Sequence, residues 1–261
     1  MAPDTNTEHL LKQEAWLLRD KYDGVHSKAF EIDKDRLRQG EPLAYIIGWA
    51  PFLDTKIWLD SLPLIPRAET EFWVGEAIKE MREHANGSAV RVLDLCAGSG
   101  CIGVSVLKTI PNARVDFAEI QEELHPNILK NIRMNEIDES RVRIFGGDLF
   151  SEIPDTEQYN FILTNPPYID PALNRTGESV RKFEPHNALY GGVAGFEIIE
   201  RIIRELPDRL RRSGTCYLEH EPEQEGLTAE CASKNSLVSK TFPDQYGIQR
   251  YTKITHKNMA E

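Results

Sequence analysis

The chain has 261 residues, which is enough for one large domain or for one domain with a small appendage. Its hydrophobic content of 40% and its charged content of 28% are typical of a soluble globular protein. A formal net charge of −11 argues against a protein that grips nucleic acid, because phosphate binding usually needs a basic face. No apolar run approaches the roughly 20 residues of a membrane span, and the N-terminus lacks the apolar core of a signal peptide.

The four cysteines form no C-x-x-C pair, and they are Cys96, Cys101, Cys216 and Cys231. This spacing favours neither a metal site nor a disulfide framework. We therefore expect reduced thiols in the cytoplasm, with an organellar matrix as the alternative compartment.

The first 60 residues predict a short helical cap and a β-hairpin. Apolar residues recur at helical spacing over 8–22, and a second helix is predicted over 27–38. Residues 43–60 are rich in β-branched and aromatic residues and predict the hairpin. The next helix is predicted from Glu71 to about residue 84, with Thr70 as its N-cap and a turn at residues 86–88. We divide the chain into this cap, residues 1–60, and a main domain, residues 61–261.

From residue 89 onward the pattern alternates between strands and helices. Strands are predicted at 90–95, 114–118, 141–145, 159–164, 215–219, 237–242 and 248–254, and helices at 101–109, 121–135, 193–212 and 223–234. Such alternation implies an α/β fold with a mostly parallel sheet and helices on both faces. The last two strands predict an antiparallel hairpin.

The segment at 164–168 (TNPPY) follows a predicted buried strand. Pro166 and Pro167 have no N–H group and fixed φ angles, so the backbone is stiff and presents its carbonyls without competing donors. A substrate –NH2 group could donate one hydrogen to the Asn165 side-chain oxygen and the other to the Pro166 carbonyl, while Tyr168 stacks on the planar group. The pattern favours methylation of an amide or amino nitrogen, and a simple proline-rich turn is the alternative.

A glycine-rich loop follows the strand at 90–95. The loop consists of Cys96, Ala97, Gly98, Ser99 and Gly100. With Gly103 it satisfies the G-x-G-x-x-G fingerprint, so NAD(P) and S-adenosylmethionine compete as cofactors. Asp94 favours S-adenosylmethionine, because a carboxylate at the strand end repels a pyrophosphate but suits an ammonium and a sulfonium.

Two further acids end the neighbouring predicted strands. Glu119 lies about 20 residues past the loop, where an acid binds ribose hydroxyls. Asp148 ends the third strand and could accept a hydrogen bond from the adenine amino group, with Leu149 packing on the ring. An open α/β sheet binds its ligand at the carboxyl ends of its strands, so we expect these residues to share one site.

Further motifs flank these segments. They are Gly40–Gly48 (GEPLAYIIG), Phe52, Ile65-Pro66-Arg67, Glu69-Thr70-Glu71, Phe183-Glu184-Pro185, Leu189, Gly195 and Leu218-Glu219-His220. With these motifs the chain, from about residue 40 to its end, resembles the HemK/PrmC family of protein-(glutamine-N5) methyltransferases. The motifs at 40–48 and 65–71 are more specific than Asn-Pro-Pro-Tyr, which enzymes that methylate adenine in DNA or RNA share.

The resemblance implies a class I methyltransferase of Rossmann-like α/β fold with a seven-stranded sheet. It implies S-adenosylmethionine as methyl donor, S-adenosylhomocysteine as product, and the glutamine of a Gly-Gly-Gln motif in a peptide-chain release factor as substrate. It places substrate amide contacts on Asn165, Pro166, Pro167 and Tyr168. It places cofactor contacts on Cys96, Ala97, Gly98, Ser99, Gly100, Glu119, Asp148, Leu149 and Asn165, to which the argument from charge adds Asp94.

Some residues depart from the family pattern. Cys96 stands where the loop usually has its first glycine. We expect this difference to cost little free energy, because the cysteine side chain is small. Ala68 replaces a common proline, and Leu149 replaces a frequent aromatic residue. The N-terminal part, which is thought to help dock the release factor, is much shorter than the usual helical domain.

Three alternatives stay open at this point. A ribosomal protein could supply the glutamine, or a nucleic-acid adenine could be the methyl acceptor. A non-catalytic cofactor-binding scaffold is the third. We expect a monomer that binds neither a metal nor a membrane and makes no direct contact with nucleic acid.

Overall fold

The computed structural model describes residues 5–85, 88–173 and 175–257. The predicted turn at Asn86 and Gly87 lies outside them. The chain begins with three helices, α1 (Thr5–Tyr22), α2 (Lys28–Arg38) and α3 (Leu43–Ile47). They enclose a small core of their own, formed by Leu17, Phe30, Leu37 and Ile46. The predicted helical cap is therefore present, with α3 as an additional helix.

The predicted hairpin begins later than the sequence pattern indicates. It consists of β1 (Trp49–Phe52) and β2 (Thr55–Trp58), which pair antiparallel. Residues 43–47 are helical because Gly48, with φ of 94°, supplies a left-handed helix end that a strand would not have. Their apolar side chains are divided between two cores, so tertiary packing overrides their β-propensity.

The next helix, α4 (Ala68–Ala85), begins three residues before the predicted start. Thr70 therefore lies inside the first turn rather than at the N-cap. The Glu71 side chain accepts a hydrogen bond from the Leu53 backbone N–H at 2.6 Å, which joins the helix to the hairpin.

The main domain is a seven-stranded sheet with helices between its strands. The strands are β3 (Val90–Leu95), β4 (Ala113–Ala118), β5 (Val142–Phe145), β6 (Tyr159–Thr164), β7 (Leu210–Glu219), β8 (Leu237–Pro243) and β9 (Gln249–His256). The helices are α5 (Cys101–Thr109), α6 (His125–Met134), α7 (Glu178–Phe183), α8 (Glu197–Arg209) and α9 (Glu225–Lys234). Short 3-10 turns occur at 122–124, 139–141, 171–173, 186–188, 193–195 and 222–224.

The strand order is β5-β4-β3-β6-β7-β9-β8. All neighbours among the first five strands pair parallel, and β9 is antiparallel to both β7 and β8. The predicted α/β class, seven strands and terminal hairpin are therefore confirmed. The strand order reverses between β3 and β6, and the crevice at such a switch point is where an open α/β sheet binds ligands.

Two hydrophobic cores cover the faces of the sheet. On one face α5 packs closely on β4, because a Cβ at Gly103 would lie 2.4 Å from the Phe117 ring. The third glycine of the fingerprint thus serves helix–strand packing. Among the described residues no helix is long and apolar enough to cross a membrane.

Candidate active site

A cavity of about 430 Å³ opens at the carboxyl ends of β3, β4 and β6 and beside the loop after β5. Most of the site residues predicted from the sequence line it: Cys96, Ala97, Gly98, Ser99, Glu119, Asp148, Leu149, Asn165 and Pro167. We refer to it as the larger cavity. Its volume is in the range of small-molecule sites. Asp94, Gly100, Pro166 and Tyr168 do not line it.

The glycine loop is held against Glu119. The Gly98 N–H donates to Glu119 Oε2 at 2.7 Å, and the Gln121 N–H donates to Oε1 at 2.9 Å. Burial raises the pKa of Glu119, and these two hydrogen bonds act in the opposite direction. Gly98 and Gly100 adopt positive φ angles of 55° and 77°, so glycine is needed for the loop to turn.

Cys96 also has a left-handed backbone, with φ of 61°. That conformation costs an L-residue roughly 1–2 kcal/mol, because its Cβ crowds the following carbonyl. We expected the replacement of glycine by cysteine to cost little free energy because the cysteine side chain is small. This expectation is wrong, because the cost in free energy arises from Cβ and does not depend on the size of the side chain. Leu149, which also lines the larger cavity, has a φ of 54° and carries the same kind of strain.

Asp94 lies beneath the loop, with its side chain fully buried. Its Oδ2 accepts a hydrogen bond from the Gly103 N–H at 2.8 Å. Its Oδ1 has no hydrogen-bond partner among the described residues. Burial raises the pKa of Asp94 well above its usual range, and the hydrogen bond from Gly103 only partly offsets this effect.

Asp148 lies at the rim of the larger cavity and is half exposed. Its Oδ2 accepts a hydrogen bond from Arg201 on α8 at 2.6 Å. The sequence indicated the position of the acid but not this ion pair.

A smaller cavity of about 250 Å³ adjoins the larger one. Pro166 and Tyr168 line it, and Asn165 lines both cavities. Among the described residues, neither the Asn165 side-chain oxygen nor the Pro166 carbonyl accepts a hydrogen bond. Asn165 and Pro166 both line the smaller cavity, so its wall includes two residues whose acceptor atoms have no partner among the described residues.

A buried carboxylate, Glu219, lies behind Asn165 at the end of β7. Its Oε2 accepts hydrogen bonds from Thr70 Oγ1 and Trp73 Nε1, both at 2.6 Å, and its Oε1 accepts one from the Tyr168 hydroxyl at 2.9 Å. Thr70 Oγ1 in turn accepts a hydrogen bond from Asn165 Nδ2 at 3.1 Å. Sequence reasoning singled out the motifs that contain Thr70 and Glu219 but assigned them no role in the site.

A second buried carboxylate, Glu184, holds the segment that precedes α4. Its Oε2 accepts from the Ile65 N–H at 3.1 Å, and its Oε1 accepts from Arg67 at 2.8 Å. Ile65 and Arg67 line the larger cavity, and Arg67 also lines the smaller one. The co-occurrence of the Ile-Pro-Arg and Phe-Glu-Pro motifs was the available signal for this contact.

The Asn-Pro-Pro-Tyr backbone is packed against a loop at 191–195. A Cβ at Gly191 would lie 2.5 Å from the Pro167 carbonyl oxygen, and one at Gly195 would lie 2.0 Å from that of Tyr168. Only glycine fits at these positions, because the neighbouring atoms are backbone. His220 is buried, and its ring nitrogens contact Thr252 Oγ1 and the Glu221 carbonyl.

Comparisons with known proteins agree with this geometry. The model of the Methyltransferase small domain family matches residues 78–182. A solved ribosomal protein L11 methylase from Lactobacillus delbrueckii subsp. bulgaricus has a TM-score of 0.55 at 17% identity, over 76% of this chain and 83% of its own. The N-terminal domain of human METTL16 in complex with SAH has a TM-score of 0.54 at 17% identity, over 98% of this chain and 95% of its own. At these identities the two structures show the class I methyltransferase fold alone.

Curated relatives match this chain at higher sequence identity than these two structures do. The release factor glutamine methyltransferase of Lactococcus lactis subsp. lactis is 32% identical, over 81% of this chain and 76% of the relative. That of Bordetella pertussis is 34% identical, over 82% of this chain and 78% of the relative. The ribosomal protein uL3 glutamine methyltransferase of Bradyrhizobium diazoefficiens is 30% identical, over 82% of this chain and 65% of the relative. The chain is a methyltransferase and belongs to the HemK/PrmC family of protein-glutamine methyltransferases.

Proposed function

We propose that this protein transfers a methyl group from S-adenosylmethionine to the side-chain amide nitrogen (N5) of the glutamine in the Gly-Gly-Gln motif of a peptide-chain release factor. The observation that carries the proposal is the pair of free acceptors, the Asn165 side-chain oxygen and the Pro166 carbonyl, beside the smaller cavity. A primary amide has two N–H donors, which these two acceptors match.

The residues around the larger cavity fit S-adenosylmethionine. The volume of about 430 Å³ suits a nucleoside with an amino-acid tail. Glu119 would bind the ribose, and Asp148 and Leu149 would bind the adenine, since all three line this cavity. Asp94 is buried beneath the glycine loop and does not line the cavity, so we assign it no direct contact with the cofactor. When bound, the cofactor supplies a methyl group activated by a positively charged sulfur.

The chain's own residues position and polarise the acceptor. An amide nitrogen is a poor nucleophile, because its lone pair is delocalised onto the carbonyl. Hydrogen bonds from the NH2 group to Asn165 and to the Pro166 carbonyl draw electron density onto the nitrogen and fix its orientation. The nitrogen gains a methyl group and loses one proton, and most of the rate acceleration comes from positioning and electrostatics.

The identity of the acceptor protein rests on the relatives. Several of them are named release factor glutamine methyltransferases at about 30% identity over most of this chain. We further propose that residues 1–60 dock the substrate and that the protein acts as a cytoplasmic monomer without contacting nucleic acid. The relative named for ribosomal protein uL3 makes that protein the second candidate substrate.

A methyl-transfer assay with labelled S-adenosylmethionine tests the proposal. The acceptors are a release factor, the same factor with its Gly-Gly-Gln glutamine changed to alanine, ribosomal protein uL3, and a DNA duplex. We expect a gain of one methyl group on that glutamine, located by mass spectrometry, and none on the alanine variant. Label on uL3 alone would transfer the assignment to the second candidate, and label on DNA would refute glutamine methylation.

A further inference from the structure

The hydrogen bonds around Glu219 have a fixed direction. The Trp73 indole N–H can only donate, so Glu219 Oε2 must be an acceptor, and any proton on this carboxyl group lies on Oε1. The Thr70 hydroxyl has one hydrogen, and it is directed at the same Oε2. The Thr70 oxygen can therefore only accept from Asn165.

This direction determines which end of the Asn165 amide faces the substrate. Because Thr70 offers Asn165 a lone pair and no hydrogen, the Asn165 NH2 group turns toward Thr70. The Asn165 oxygen is then left at the cavity wall, where it has no partner among the described residues. The reversed amide would place its NH2 group against the NH2 group of an incoming amide, where two donors repel each other.

We propose that Thr70 and Glu219 are positioning residues that hold the Asn165 side chain with its oxygen toward the methyl acceptor. We call this chain of hydrogen bonds, Asn165 to Thr70 to Glu219, the amide relay. Glu219 also accepts from the Tyr168 hydroxyl, so one buried carboxylate holds two residues of the Asn-Pro-Pro-Tyr segment. The amide relay depends on the proposed function in one respect only, which is the identity of the methyl acceptor.

The chain contains a matched control for this arrangement. Glu80 on α4 accepts hydrogen bonds from Thr215 Oγ1 at 3.2 Å and from the Tyr217 hydroxyl at 2.7 Å, which is the same chemistry. Thr215 lies four residues before Glu219 on β7, away from the carboxyl edge of the sheet, and lines neither cavity. Thr215→Val therefore removes a comparable hydroxyl without touching the site.

The test compares Thr70→Val, Thr70→Ser and Thr215→Val. The first readout is the side-chain amide NMR signal of Asn165 in asparagine-labelled protein, assigned by its loss in Asn165→Ala. In the wild type and in Thr70→Ser we expect amide protons that exchange slowly and show contacts to residue 70. In Thr70→Val we expect fast exchange and two amide orientations, since the acceptor is gone.

The second readout is turnover on the release factor, with cofactor affinity measured by calorimetry. Loss of one oriented hydrogen bond predicts a fall in kcat of about tenfold in Thr70→Val, with cofactor affinity changed by less than about threefold. Thr70→Ser is expected to recover most of the lost kcat. Thr215→Val is expected to keep wild-type turnover.

Three outcomes would overturn the relay. They are unchanged Asn165 signals in Thr70→Val, an equal loss of turnover in Thr215→Val, and a loss in Thr70→Val that weaker cofactor binding fully accounts for. If the wild-type protein methylates no Gly-Gly-Gln protein, the proposed function fails, and the NMR signals alone still decide whether the relay exists.

Discussion

Asn165 lines both cavities and carries one of the two free acceptors, so its side chain makes the most direct test of the site. We expect Asn165→Ala to lower kcat by about 10²–10³-fold, the usual cost of removing one preorganised polar group from an active site. Cofactor binding should weaken only in part, because the other walls of the larger cavity remain. Turnover assays and calorimetry separate the two effects.

The control for this change is Asn235→Ala, since Asn235 lies at the end of α9 and its side chain contacts Cys231. This variant should turn over like the wild type. An Asn165→Ala variant that folds normally and keeps its turnover would remove Asn165 from the reaction.

Glu219 should make the stability of the protein depend on pH. Burial raises its pKa above the ordinary 4.5, and its three hydrogen bonds only partly offset this effect. Between pH 4.5 and the raised pKa of the folded state, the folded chain binds this proton more than the unfolded chain does, so the contribution of Glu219 to stability falls as pH rises through that interval. Glu219→Gln has no such proton, and its stability relative to the wild type should increase with pH.

Urea unfolding of both proteins at several pH values between about 5 and 8 measures this difference. Glu80→Gln is the comparison, because the pKa of Glu80 is lowered by its contacts with Lys253 and Tyr217 despite its burial. The stability of Glu80→Gln relative to the wild type should not increase with pH over this range. A constant difference between Glu219→Gln and the wild type would contradict the raised pKa.

The sequence predicted the residues at the strand ends but not those behind them. Asn165, Glu119 and Asp148 could be placed because the carboxyl ends of neighbouring strands meet at one edge. Thr70 lies on α4 and Glu219 ends β7, 149 positions later, so only the packing of α4 against the sheet brings them together. The positive φ of Cys96 is likewise a property of the folded loop, which composition does not reveal.

At the scale of elements, the segment before α4 forms part of the wall of both cavities and is held in place by Glu184. We expect Glu184→Ala to weaken cofactor binding about tenfold and to lower the free energy of unfolding by about 1–3 kcal/mol, because the Ile65 N–H and the Arg67 guanidinium lose a buried acceptor. Calorimetry and chemical unfolding measure the two effects.

An exposed ion pair provides the control. Glu139 pairs with Arg133, and both side chains are about half exposed or more. Glu139→Ala should therefore change stability by less than about 1 kcal/mol and leave cofactor affinity unaltered. Equal effects of the two substitutions would mean that Glu184 does not hold the cavity wall.

Element boundaries were less predictable than element types. The predicted helix at 193–212 begins only at Glu197, because Ala194 and Gly195 have positive φ angles of 53° and 64° that a helix does not tolerate. The strand β7 begins at Leu210 rather than at 215, since its first residues extend directly from α8. Both boundaries depend on backbone angles that apolar periodicity does not encode.

At the scale of the whole molecule, α1–α3 enclose a small core of their own, whereas the hairpin of β1 and β2 packs into the main hydrophobic core. Asp33 on α2 accepts hydrogen bonds from Lys21 at 2.6 Å and from Tyr22 at 2.7 Å, which join α1 to α2, and one from Arg36 at 2.7 Å within α2. We expect Asp33→Ala to speed hydrogen exchange in α1–α3 while the strands of the main sheet keep their protection. Transfer to the protein substrate should fall more than cofactor binding if the cap docks that substrate.

The comparison variant is Glu31→Ala, whose side chain is mostly exposed and pairs with Lys34 within α2. Its exchange pattern should match the wild type. If Asp33→Ala speeds exchange in α1–α3 and in the sheet alike, the three helices do not form a separate cooperative unit.

The fold class followed from the alternation of strands and helices, which requires parallel strands with crossovers. The strand order did not follow from alternation. The number of strands came from the same pattern, and the position of the site came from the rule that an open α/β sheet binds ligands at the carboxyl ends of its strands. The net charge of −11 argued only for the class of partner and carried no information about the fold.

The strained residue Cys96 also makes the site accessible to chemical labelling. Cys101, Cys216 and Cys231 are buried, whereas Cys96 is partly exposed and lines the larger cavity. Burial raises the pKa of its thiol, so alkylation should be slow at neutral pH and should accelerate as pH rises. Bound S-adenosylhomocysteine should protect it, and the alkylation rate followed by mass spectrometry then reports cofactor occupancy without any methyl acceptor present.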